Sequence, residues 1–514
     1  MTMPPRVDTD IDVRPTGARL IAGLAAAGSV LLAACLFFAF VQPQTPGRMA
    51  RASADLIPEL GMWAWMVGSF GGLAGDRLFV TVALLATSAL GFAAYAAALW
   101  MTWRRRSSVA SVSFVVAASV LFCAIAVMAL PTQNTDIYNY IINGRIGAIH
   151  HSNPYYTPAA DFPHDPIYRY ASPRQIHVPG DAKLPAWTLI STGLAMLGGD
   201  SPVTNLLVYR SAFLIFTLAN LLMVAAVLRR LDPGSELAGL VAYGWNPIVL
   251  VLGQSKTDTA MVSFLLLSIL LLITDRRRSA IVALAVSALV KLFTAPLAVV
   301  YGIGELRRGH WREILAATVL GSLIVVAFFA MFWDGAAIIT HHLRWGGSGG
   351  QSAGGLLRPM LKWGFLALIA VVGLVQDGTP QRLLRGWVVV MLYFCLFLGK
   401  FAFGWYLLTL IALSALVADW RLTSMTTVLS FSAFTLDAWY RTSSKEFRLD
   451  ASLPVPRLVA YVALPLAVAA AIAVIGLWRS RTTARATVRA RLFEYRRAAA
   501  DVARRVTSAR AHSR

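Results

Sequence analysis

One carboxylate in this sequence stands where chemistry is plausible. Asp136, within Thr135-Asp136-Ile137-Tyr138-Asn139-Tyr140, falls about five residues past a long apolar run. A carboxylate at such a boundary meets both lipid-borne and soluble substrates, and it can accept the proton of an attacking hydroxyl. Cations inside or at the ends of apolar runs are the second feature: Lys291, Lys256, Lys400, Arg210 and Arg344. Charge in or near hydrocarbon is costly unless paired or functional, and the chain has only six lysines, three of them in this set. Plainer readings of the same residues stay open. Asp136 also suits the first turn of a helix over Ile137 to Ile149 capped by Thr135, an effect of a few tenths to about 1 kcal/mol. Arg210 and Lys256 lie near span ends and could snorkel to the interface. Lys291, deep in its segment, could pair structurally.

The stretch 131 to 183 is dense in polar groups. It holds His150, His151, His164 and His177, four aspartates (136, 161, 165, 181), four basic residues and several tyrosines. Such a loop can recognise sugars and phosphates. His341, His342 and Arg344 precede a glycine-rich stretch, Gly346 to Gly355, which reads as a substrate flap or a linker. Trp405 and Tyr406 suit interfacial anchors as well as a sugar platform. Metal and nucleotide signals are poor: the Asp-x-Asp patterns at Asp8 to Asp12 lie in the N-terminal tail, and no phosphate-cradling Gly-rich Lys-Ser/Thr loop, HExxH or redox CxxC occurs. No metal and no cofactor are expected.

Positioning these residues falls to helices in a bilayer. The 514 residues are 57% hydrophobic and 14% charged, which excludes a water-soluble multidomain enzyme. Apolar runs of about 20 residues can cross a hydrocarbon layer of about 30 Å. The expected fold is an all-α, polytopic integral membrane protein with about twelve spans, at 20–41, 78–103, 109–130, 203–228, 237–254, 259–274, 313–333, 356–375, 386–403, 404–418, 421–440 and 457–478. Residues 184–198 are too short to cross. The run 279–301 carries Lys291 and Pro296 in its middle and is expected to be a re-entrant pair of half-helices, tolerable only if buried against protein or a wet cavity. Residues 56–73, with Trp63 and Trp65, look interfacial. A cytoplasmic N-terminus puts the arginine clusters at 104–106, 229–230, 276–278 and 382–385 inside, as the positive-inside rule asks, and leaves 42–77, 131–183, 334–355 and 437–456 outside. The domain division is a cytoplasmic tail (1–19), a membrane catalytic domain (20–478) and a basic cytoplasmic tail (479–514). That last segment holds 11 Arg against Glu494 and Asp501, out of a net charge of +21, and favours anionic lipid over nucleic acid as its partner. Cys35, Cys123 and Cys395 sit in apolar runs as small hydrophobes, so no disulfide framework is expected.

Order along the chain adds a family likeness. Asp136-x-Tyr138-x-Tyr140, then Gly144, then Asn153-Pro154-Tyr155 resembles the first external loop of GT-C glycosyltransferases, in particular the actinobacterial polyprenyl-phosphate-mannose-dependent α-mannosyltransferases. Trp245-Asn246-Pro247-Ile248, the stretch Gly253 to Asp258, Ala288-Leu289-Val290-Lys291 with Pro296, and Gly404-Trp405-Tyr406 are similar to that family's later motifs in the same order, over roughly residues 110 to 420. Lys256 and Thr257 replace the family's usual His-Asn pair before Asp258, and Gly404 replaces a proline. The resemblance implies a GT-C-like helical bundle in the cell membrane that moves a sugar, mannose in that family, from a polyprenyl-phosphate donor to an extracytoplasmic glycolipid or glycan acceptor with inversion. It implies Asp136 as base; Lys291, Lys400, Arg344, Lys256 and Arg210 toward the donor phosphate; and Tyr138, Tyr140, Asn153, Tyr155, Lys183, Asp258, His341, His342, Trp405 and Tyr406 toward substrate. The alternative is a transporter or flippase for an anionic substrate, since intramembrane cations and broken helices suit that path too.

Overall fold

A computed structural model of the chain describes residues 17–41, 76–103, 107–129, 136–172, 175–177, 183–335, 357–398 and 404–443. Among them every regular element is helical: α1 Gly17–Leu36, α2 Arg77–Thr102, α3 Val109–Met128, α4 Asp136–Ala148, α5 Pro185–Gly198, α6 Pro202–Leu231, α7 Glu236–Gly244, α8 Thr257–Ile273, α9 Arg277–Val290, α10 Ala295–Arg307, α11 Trp311–Ala330, α12 Leu357–Leu374, α13 Pro380–Tyr393, α14 Leu408–Val417 and α15 Trp420–Ser443. Helix starts are written in the sequence. Asp76 accepts from the Leu78 and Phe79 amides at 2.8 and 3.1 Å, Ser108 and Ser111 form a reciprocal capping box, and Ser201 takes the Thr204 amide at 3.2 Å ahead of Pro202. Each satisfies an amide that has no partner inside its helix.

Among the described residues six helices are long and apolar enough to span: Gly17–Ala39, Val82–Thr102, Val109–Met128, Pro202–Leu231, Trp311–Ala330 and Pro380–Leu398. The protein is a polytopic helical membrane protein. Twelve spans are not confirmed among the described residues, and part of the difference has physical causes. The run 237–254 is a pair of helices bent by 51°: Pro247 has no amide to donate, and the Asn246 side chain takes the Ile248 amide instead, at 3.0 Å. The run 404–418 opens with a 3₁₀ turn, Gly404–Leu407, and α14 adds ten residues, about 15 Å at 1.5 Å rise. Helix α15 continues to Ser443, into what was expected as an external loop. The expected span 457–478, the interfacial stretch 56–73 and the tails 1–16 and 479–514 lie outside the described residues.

The expected break in 279–301 is present. Backbone at Lys291 is extended (φ −160°, ψ 130°), a 3₁₀ turn follows at Leu292–Thr294, and α10 restarts with Pro296 in its first turn. Helices α8, α9 and α6 pack together, as do α4 with α5 and α1 with α2, around a core that includes Trp187, Trp245 and Trp387.

Candidate active site

Three interruptions and one helix start bring the candidate residues together. Lys256 is the extended residue between the bent 248–255 segment and α8, Lys291 separates α9 from the 3₁₀ turn before α10, Trp405 and Tyr406 sit in the 3₁₀ turn before α14, and Asp136 opens α4. Irregular backbone at membrane depth survives only where it is buried in protein or lines a cavity, so these breaks fall where a polar site can be built.

Lys256 Nζ donates to Asp136 Oδ2 at 2.7 Å. Its own side chain is 3% exposed, against 26% for Asp136, so it points inward and does not snorkel. The same ammonium stands 3.6 Å from the Trp405 ring centroid. A second pair lies beside the first: Lys291 Nζ donates to both Asp258 oxygens at 2.7 and 2.9 Å, and it is 4.3 Å from the ring centroids of Phe293 and of Tyr406. Lys183 lies 5.2 Å from the Tyr140 centroid. Ammonium over an aromatic face is favourable by about 0.5–2 kcal/mol, which helps hold these largely buried cations in place.

The charges act on one another. Burial pushes the Asp136 carboxyl up, but Lys256, then Lys183, with Lys291 further down, hold it below the ordinary carboxylate range. Helix α4, 13 residues long, is not one of the spanning helices, and the neighbouring ammonium groups favour the ionised form of its first carboxyl. Arg210 is a further cation nearby: it is buried on α6, donates to Ser255 Oγ at 3.3 Å and to the Ala126 carbonyl, and its Nε has no acceptor among the described residues.

Other residues proposed from sequence are placed in the wall of the 136–183 loop. Tyr138 stacks on Tyr170 with centroids 5.3 Å apart, and Tyr140 meets Trp187 edge-on at 5.3 Å. Asn153 accepts the Tyr155 amide at 3.1 Å and donates to the Phe332 carbonyl at 2.8 Å. Tyr155 donates to the Lys183 carbonyl at 2.9 Å, which fixes the backbone that carries Lys183. His341, His342, Arg344 and Lys400 lie outside the described residues.

Sequence reasoning missed the clamp that holds this loop. Arg145, fully buried, reaches Asp165 at 2.8 Å and Asp200 at 2.9 Å, and His150 binds the same Asp165 at 2.8 Å. Much of the loop's charge is thus spent on its own structure. A helical Arg nine residues after Asp136, on a face of buried residues, was the available signal. Gly144 lies on the same helix because nothing larger fits: a Cβ there would come within 2.4 Å of the Ser191 carbonyl oxygen and of the Tyr209 hydroxyl. Gly144→Ala is expected to cost about 1–3 kcal/mol, read as a lowered Tm of the solubilised protein; an unchanged Tm removes this packing argument.

A many-helix membrane bundle with a carboxylate and a lysine cluster at its helix breaks is chemically suited to an anionic ligand. Residues 50–304 match the family MptA_B, alpha-(1->6)-mannopyranosyltransferase, N-terminal domain, and over that stretch the chain is similar to this family. Asp136, Lys183, Lys256, Asp258 and Lys291 are all inside the matched stretch. The protein is a glycosyltransferase of the mannosyltransferase kind, which takes a sugar donor and a glycan acceptor. Comparison with curated proteins gives no match.

Proposed function

We propose that the protein moves mannose from a polyprenyl-phosphate donor to an extracytoplasmic glycolipid or glycan, with inversion at the anomeric carbon, at the outer side of the cell membrane. The observation that carries this reading is the Asp136–Lys256 pair, 2.7 Å across, set beside Lys291 and Lys183. A lipid-phosphate sugar needs no acid, because its leaving group is a phosphate that departs unprotonated; it needs a base for the acceptor hydroxyl and cations for the growing phosphate charge.

The pair links both needs. As the acceptor oxygen attacks the anomeric carbon, its proton passes to Asp136 and the bond from that carbon to the phosphate oxygen breaks. Neutralising Asp136 releases the charge of Lys256 at the moment the phosphate oxygen becomes an anion. One base with no nucleophilic partner gives a single displacement, so a β-linked donor yields an α-linked product.

Purified protein given acceptor should transfer mannose from the polyprenyl-phosphate donor and not from a nucleotide-linked one; the reverse preference would overturn the donor assignment. Orientation has its own check. The native cysteines are all buried, and His164 and Ser279 are exposed, so an impermeant thiol reagent on intact cells should label His164→Cys and spare Ser279→Cys. Labelling of Ser279→Cys alone would invert the topology.

A further inference from the structure

A cavity of about 560 Å³ lies at the other end of the helices that carry the site. Helix α8 starts beside Asp258 and runs 17 residues, about 25 Å at 1.5 Å rise, before the turn at Asp275 that borders the cavity. Its lining includes Arg276, Arg277, Arg278 and Arg312, with Tyr301 and the carboxylates Asp275, Glu305 and Glu313. The volume is within the range of about 300–1,000 Å³ usual for small-ligand pockets.

The carboxylates are largely spoken for. Arg277 reaches Glu313 at 2.6 Å, and Glu305 receives His310 at 2.6 Å and Arg308. Arg276, Arg278 and Arg312 remain against Asp275, an excess of two positive charges around an open cavity. Helices α9 and α11 both begin here, and neither start is capped by a side chain, so backbone amides add to the positive field. Immediately beyond, α11 has no buried residue; Leu315, Val319, Leu323 and Val326 form an exposed apolar stripe that starts at the cavity mouth. A positive cavity continuous with an apolar stripe on a membrane helix has the two-part chemistry of one kind of ligand.

We propose that this cavity binds an anionic phospholipid, its phosphate among Arg276, Arg278 and Arg312 and its acyl chains along α11. The headgroup bridges the ends of α9, α10 and α11, and α9 and α10 meet at Lys291 at their other ends. Glu305, His310 and Glu313 do place ligand atoms within 4.8 Å of one another, but their carboxylates already hold Arg277 and Arg308, so a cation would have to displace both.

The test reads binding and not transfer, so its failure leaves the proposed function standing. Protein in neutral-lipid nanodiscs is titrated with an anionic phospholipid, with retained lipid counted by native mass spectrometry and Tm followed. Each arginine near a charged headgroup contributes about five-fold in affinity, so Arg276→Gln/Arg278→Gln/Arg312→Gln should weaken retention about a hundred-fold. The control Arg382→Gln/Arg385→Gln should keep it. Ala317→Trp, which fills the cavity without removing a charge, should lose it too, and covers the case in which the triple variant is unstable. Inorganic phosphate alone should raise Tm little. Unchanged retention in both the triple variant and Ala317→Trp overturns the site; full stabilisation by inorganic phosphate makes it a site for a soluble anion; loss of lipid in EDTA puts a cation on Glu305, His310 and Glu313 instead.

Discussion

Asp136→Asn should fold, bind the lipid-linked donor and transfer sugar about 10²–10⁴-fold more slowly, the usual range for removing a general base. The amide keeps the size of the carboxylate but cannot take the proton. It also strips Lys256 of its carboxylate, and a buried ion left without its partner commonly costs about 3–5 kcal/mol; the Trp405 face at 3.6 Å offsets part of this. Asp136→Asn/Lys256→Met, which removes both charges, separates a lost base from a loosened fold. The pH profile supplies a sharper signature. Because Lys256 and Lys183 hold the Asp136 carboxyl below its usual range, the wild-type acid limb of kcat/KM lies below that of an ordinary carboxylate, about 3.9. Lys256→Met removes the nearest attracting charge and leaves the burial, so the limb should move to higher pH. The same depressed carboxyl stabilises the fold at and above neutral pH, and that contribution is lost as pH falls through its folded value. An Asn variant that binds donor and turns over near the wild-type rate returns Asp136 to a helix-capping carboxylate.

What could be read from the sequence followed the physics of each scale. Apolar runs, capping serines and prolines are local signals, so the helical membrane fold and the break at Lys291 were legible. The bend at Trp245-Asn246-Pro247 was not, because hydropathy averages over a window and 237–254 is apolar on both sides of its proline. The site was legible as a set of residue types and not as pairs. Asp136 and Lys256 are 120 positions apart, and Asp258 and Lys291 are 33 apart; nothing in local pattern says which aspartate takes which lysine. Phe293 was missed because a phenylalanine in an apolar run carries no signal until an ammonium is found over its ring. The polar density of 131–183 has a partly structural cause: Arg145, Asp165 and His150 hold the loop together, while Asp136 and Lys183 lie by the charged cluster.

Lys291→Met alone is expected to give a poorly folded protein, and this decides how Lys291 must be tested. Asp258 is 3% exposed, and its charge is answered by Lys291 Nζ on both oxygens. Deleting the ammonium strands a buried carboxylate, which costs about 3–5 kcal/mol, whereas deleting both partners of a buried pair is often close to neutral. Lys291→Met/Asp258→Asn should therefore melt near the wild-type Tm. If Lys291 also stabilises the departing phosphate, the double variant should still lose about 10²–10³ in kcat, the cost of removing one preorganised donor from a developing oxyanion. A pair that serves only the fold predicts the opposite: a stable double variant with wild-type turnover. That outcome would leave Lys256, Lys183 and Arg210 as the described cations able to receive the phosphate, with Arg210 the strongest of them because its buried Nε has no acceptor among the described residues.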